Sequence, residues 1–139
     1  MRFCTWVFYC ITPVKQKRNA LPFRYSKMGR WFGRTTVRDE HTDSGLRTAE
    51  TEIDLLAIDR DEKNYLVGEC KFKKQPFRYS EYLNTVAKLT PQKQKASFYY
   101  ALFSESGFDE KIEEIAREDR TLRLYDLEKI VQYRDGGQA

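Results

Sequence analysis

Glu69 and Lys71 stand two residues apart inside an otherwise apolar run, Tyr65 to Phe72 (YLVGECKF). Side chains alternate along a strand, so the two project from one side with Cα atoms about 7 Å apart. Asp54 lies in the neighbouring run, Ile53 to Ile58 (IDLLAI), where a suitable register brings its carboxylate toward that of Glu69. Two carboxylates about 5 Å apart repel by roughly 3 kcal/mol at an effective dielectric near 20. A partly buried sheet tolerates that pair when a proton, a cation or a basic side chain compensates it. Lys71 supplies one positive charge, and a divalent ion, Mg²⁺ or Mn²⁺, supplies two among carboxylate oxygens and water. With Asp54 and Glu69 as metal ligands and Lys71 as base or charge stabiliser, the set is complete for cutting a phosphodiester. An acid two residues before a lysine also occurs at Asp61/Lys63 and Asp109/Lys111. Those lie in a turn and at a helix start; only Glu69 and Lys71 interrupt an apolar strand, where unpaired charge is costly. The competing structural reading of the same pair is a salt bridge.

The elements that must position these groups follow from periodicity and punctuation. Thr35 to Val37 is short and β-prone, and the polar stretch Asp39 to Thr51 reads as a loop. Asp59 to Asn64 is all charge and amide, the composition of a hairpin connection between the two apolar runs. Tyr82, Leu83, Val86 and Leu89 recur at helical spacing after Ser80, an expected N-cap, and Pro91 ends or kinks that helix. Ala96 to Phe103 is a further strand. Ser106 and Asp109 open a helix with an apolar stripe of Phe108, Ile112 and Ile115, Leu122 and Leu124 mark a last strand, and Asp126 caps a closing helix through Val131. The expected fold is α/β (α+β), a mixed sheet flanked by helices.

Charge is distributed unevenly over the 139 residues. Residues 1–38 hold nine of the 25 lysines and arginines and none of the 21 acids, leaving a net of −5 on the remainder. A basic arm on a mildly acidic body suits phosphate-bearing partners, or is a solvated leader. Phe3 to Ile11 (FCTWVFYCI) follows Arg2 as a signal-peptide start would, yet lacks a small-residue cleavage site and runs at once into Pro13 and Lys15. No stretch has the roughly 18 to 20 apolar residues of a membrane-spanning helix. Cys4, Cys10 and Cys70 are too few for a disulfide framework, Cys70 reads as a core cysteine, and a cytoplasmic location is expected. Residues 1–20 form an atypical basic and aromatic segment ahead of one domain over 21–139.

Four short motifs in order carry a family resemblance: Gly29-Arg30-Trp31-Phe32-Gly33, Glu52-Ile53-Asp54-Leu55, Gly68-Glu69-Cys70-Lys71, and Leu102-Phe103-Ser104 with Ser106-Gly107-Phe108. From about residue 21 to 131 the chain resembles the domain of unknown function 234, found at the C-terminus of archaeal-type ATPases. The triad resembles that of the PD-(D/E)XK nuclease superfamily, whose core is a restriction-endonuclease-like mixed sheet. The resemblance implies a nuclease-like site at Asp54, Glu69 and Lys71, with Glu52 nearby, acting on nucleic acid, DNA first. It departs from the family pattern in having no acid before Asp39, where such folds usually begin with an acid-bearing helix. No G-x-x-x-x-G-K-[ST] phosphate loop occurs, so nucleotide hydrolysis is not assigned to this chain.

Arg30, Trp31 and Arg34 interleave cations with aromatics, a combination that grips phosphates and stacks on bases, and Lys73 and Lys74 extend a basic rim past Lys71. The plainer reading makes Trp31 core and the cations solvated. His41 has no partner spacing. Three functions are thus expected in order: a Mg²⁺- or Mn²⁺-dependent nuclease-like domain, an inactive binding or regulatory module partnering an ATPase or nucleic acid, and a homodimer stabilised by the hairpin charges.

Overall fold

A computed structural model describes residues 22–89 and 95–126. The expected segment over residues 1–20, the helix end expected at Pro91 and the closing helix expected after Asp126 lie outside the described residues.

Five strands form one mixed sheet in sequence order: β1 (Lys27–Arg38), β2 (Leu46–Ile58), β3 (Asn64–Lys71), β4 (Ser97–Ser104) and β5 (Leu122–Asp126). The first three are antiparallel neighbours, while β3, β4 and β5 run parallel. The parallel steps need crossovers, which α1 (Tyr79–Ala87) and α2 (Glu110–Glu118) provide. This is the α/β architecture, a mixed sheet with helices, that the periodicities predict.

Three boundaries differ from the sequence reading. β1, expected only as the short stretch Thr35 to Val37, runs from Lys27 to Arg38 because it pairs along the length of β2. β2 starts at Leu46, inside the stretch read as a loop, because Arg38↔Leu46 through Gly33↔Thr51 pair into a long ribbon. Leu46, Arg47, Thr48 and Glu50 are exposed, so no apolar alternation marks this stretch. The helix expected to start after Ser80 is capped two residues earlier, at Arg78. There the Glu81 carboxylate accepts the Arg78 amide (3.1 Å) and Asp109 accepts that of Tyr79 (3.3 Å). Leu83, counted in the apolar stripe, faces solvent, while Tyr82, Val86 and Leu89 pack inward. Asp109 itself caps α2, and Ser106 instead donates to the Lys73 carbonyl.

The hairpin between β2 and β3 forms where the all-polar segment predicts it. Asp59 accepts the amides of Lys63 (2.8 Å) and Asn64 (3.1 Å) and the Asn64 side chain (2.7 Å). The Asn64 side-chain bond is the leading cause holding the Asp59 carboxyl below its ordinary range.

Core residues divide by face. Ile53, Leu56, Tyr65, Val67, Tyr100 and Leu102 pack with Phe77, Leu89 and Ile112 beneath the two helices. Leu55, Ala57, Leu66, Ala101, Phe103 and Tyr125 fill the opposite face, with Phe23 and Tyr25 packed against them. No described helix is long and apolar enough to cross a membrane.

Candidate functional site

The β1–β2 register slips at one point: Gly29 pairs with Leu56 but Trp31 pairs with Ile53. Asp54 and Leu55 together therefore oppose the single residue Arg30, a β-bulge in β2, a device that re-aims side chains beside functional sites. Ile53 and Leu56 both reach the helix-covered core across the bulge. On the other side of β2 the ladder ends at Leu55↔Gly68. One step further in that register sets Asp54 against Glu69. There the Asp54 carboxylate replaces a ladder carbonyl and accepts the Cys70 amide at 3.1 Å. Cys70 packs against the core on the opposite face, as its alternation with Glu69 and Lys71 predicts.

Gly68 lets the two strands come this close. A Cβ there would lie 2.8 Å from the Leu55 Cβ. Gly68→Ala is expected to force the hairpin apart beside the carboxylates and cost about 1–3 kcal/mol, read as a lowered urea midpoint.

Asp54 and Glu69 line an open cleft of about 480 Å³, completed by Glu50, Thr51 and Glu52 from β2 and by Asn84, Ala87 and Lys88 from the end of α1. Glu69 is only 6% exposed. Burial pushes its carboxyl up to about 7, the neighbouring Asp54 adds to the rise, and the hydrogen bond and charge of Lys88 oppose it. The Lys88 ammonium bridges the Glu69 carboxylate and the Glu52 backbone carbonyl, at 2.6 Å to each. The Glu52 side chain turns away to an ion pair with Arg30.

Lys71 shares the Glu69 side of β3 by strand alternation but does not line the cleft. It lies 3.7 Å from Glu81, which also holds Lys73 at 2.6 Å. Burial would raise the Glu81 carboxyl, but the Lys73 hydrogen bond, the Arg78 amide and the charges of Lys73 and Lys71 together hold it below the ordinary range. The residues read as a nucleic-acid surface are dispersed. Arg30 stacks 5.2 Å above Phe32 besides pairing with Glu52, and Trp31 packs against the core beneath the helices. Arg34 lies opposite Glu50, and Arg34 and Lys74 are both exposed.

Lys88 is the site residue that sequence reasoning missed. Its one signal is position: a cation at the C-cap of a helix whose preceding turn packs on the strand carrying a buried acid. Among the described residues no group of three or more His, Cys, Asp or Glu is disposed to hold a metal ion. The cleft's donors facing Lys88 are nevertheless all oxygen, carboxylate and carbonyl, which suits a hard cation.

Fold and cleft together define an α/β domain with an acid pair, one member buried and one partly buried, beneath a helix end. The chain belongs to the domain of unknown function 234 family, described as "Archaea bacterial proteins of unknown function", whose model matches residues 7–97. That match begins before and ends sooner than the span of the four motifs, leaving Leu102 to Phe108 outside it. No curated protein matches. Two solved structures are similar in fold. One is "Protein of Unknown Function AF1548", with 15% identity and a TM-score of 0.50 over 93% of this chain and 66% of that one. The other is "protein VC1899 from Vibrio cholerae", with 14% identity and a TM-score of 0.55 over 97% of this chain and 32% of that one. The chain thus spans less than two thirds of either neighbour.

Proposed function

We propose that this domain is nuclease-like and hydrolyses phosphodiester bonds of DNA with Mg²⁺ or Mn²⁺, as its resemblance to the PD-(D/E)XK superfamily implies. The observation that carries the reading is the acid pair in the cleft: a bulged Asp54 opposite a buried Glu69, a charge arrangement that a divalent cation would compensate. Asp54 and Glu69 would hold the metal, which when bound polarises the scissile phosphate and its attacking water. Lys71, at the end of β3, faces developing negative charge on the substrate once it leaves Glu81. Arg34 and Lys74 are exposed cations for the nucleic-acid backbone.

Mg²⁺- or Mn²⁺-dependent cleavage of plasmid or oligonucleotide DNA is expected, falling by at least about 100-fold in Asp54→Asn and Lys71→Ala with folding retained. Robust cleavage by either variant removes the mechanism. A second reading is favoured by one observation, that Lys88 already neutralises Glu69: an inactive module that binds nucleic acid or partners an ATPase or a second copy of itself. No cleavage and no metal uptake, together with a measurable complex, would support it.

A further inference from the structure

The Lys88 ammonium holds two oxygens of the cleft, with a third group, the Asp54 carboxylate, beside one of them. Glu69 and the Glu52 carbonyl each accept a 2.6 Å hydrogen bond from it, and Asp54 lies against the same Glu69 carboxylate. We propose that Lys88 is a built-in cation occupying the metal position, that a divalent ion enters the cleft only by displacing it, and that the Glu52 backbone carbonyl becomes a ligand when it does. This rests on the carboxylate pair being a metal site, and it adds both the competitor and a third oxygen donor.

Three features carry it. An ammonium and a divalent ion cannot share one carboxylate oxygen and one carbonyl at hydrogen-bond distance without strong repulsion. Charge-assisted bonds such as these two are the strong kind, so displacing them weakens metal affinity substantially. Lys88 also has somewhere to go. It stands at the C-cap of α1 on a flexible four-carbon stem, is about one-fifth exposed, and borders an open cleft. Glu52 offers its carbonyl because its side chain is drawn off to Arg30.

Calorimetric titration of the full chain with Mn²⁺ alone tests the proposal, with each variant's fold checked by urea denaturation. Lys88→Met is expected to bind Mn²⁺ on the order of tenfold more tightly than wild type. Lys88→Arg, which keeps a cation at the position, is expected to show no such gain. Lys71→Met removes an equal charge from the Glu69 side of β3 but leaves Lys88 on its two oxygens, so its gain should be small. Equal gains in Lys71→Met and Lys88→Met would reduce Lys88 to a distant charge and overturn displacement. Wild-type binding that Lys88→Met leaves unchanged or weakens overturns the inference while the metal reading survives. Absence of Mn²⁺ binding in every variant, Lys88→Met included, overturns both. Loss of the gained affinity in Lys88→Met with Asp54→Asn places the ion in this cleft.

Discussion

Glu69→Gln should flatten the pH dependence of stability between about pH 4.5 and 7. In the folded chain burial pushes the Glu69 carboxyl up to about 7, from an ordinary value of 4.5. Between those values the folded state keeps a proton that the unfolded chain has released. The associated stability is therefore fully present below the unfolded value and is lost as pH rises through the folded one. Across the full interval the loss is about 3 kcal/mol, at 1.36 kcal/mol for each unit of pKa difference. A glutamine keeps the shape and the acceptor oxygen without that linkage, while Lys88, bordering open water, can rehydrate. Urea denaturation at pH 4.5, 6 and 8 should find the variant close to wild type at the lowest pH. At pH 8 it should be more stable, by up to about 3 kcal/mol, a net figure in which the opposing Lys88 hydrogen bond and charge are already included. A wild type that grows more stable than the variant as pH rises would mean that Lys88 more than offsets burial. The measurement separates function from stability at this position. A site that costs stability at neutral pH and lacks a cation-binding role has no evident reason to be built this way.

The parts of this domain legible in the sequence are those where burial imposes a pattern. Ile53 to Ile58 and Tyr65 to Phe72 read as strands because their residues fill both faces of the sheet, and Ile112 and Ile115 read as a helix because one stripe meets the core. Asp54 and Glu69 were legible for the complementary reason, as charges inside those runs. The ribbon from Leu46 to Thr51 was not, since a solvated strand needs no alternation. The β2 bulge was equally hidden, because one extra residue changes register without changing composition. Lys71 and Lys88 show the deepest limit. Strand alternation puts Lys71 beside Glu69, but the tertiary approach of α1 brings Glu81 to Lys71 and Lys88 to Glu69. Spacing of two along a strand is local information; which of two lysines meets the acid depends on a helix packed from elsewhere.

That dependence makes the anchoring of α1 decisive, and Phe77→Ala should cost about 3–5 kcal/mol, the range for emptying a fully buried aromatic site. Phe77 is inaccessible to solvent and stacks on Phe108 with ring centroids 6.0 Å apart. Its amide donates to the Gly107 carbonyl and its carbonyl accepts the Asp109 amide, each at 2.9 Å. These bonds join the two strand-to-helix connections as a parallel bridge, Phe77↔Phe108. Asp109 then caps α2 and accepts the first amide of α1. One residue, by ring and backbone, thus ties the starts of both helices together, and α1 carries Asn84 and Lys88 to the cleft seven and eleven residues later. Phe77→Leu retains most of the apolar volume and should cost roughly half as much or less. Urea midpoints with unchanged slopes would report the stability loss. Amide hydrogen exchange should show α1 opening before the β2–β3 hairpin, since the hairpin keeps its own ladder and its Asp59 turn. If Phe77→Ala loses under 1 kcal/mol, or the hairpin amides exchange first, α1 is held over the acid pair by Tyr82, Val86 and Leu89 instead. The cleft would then depend on the packing of the helix along its length rather than on its anchored start.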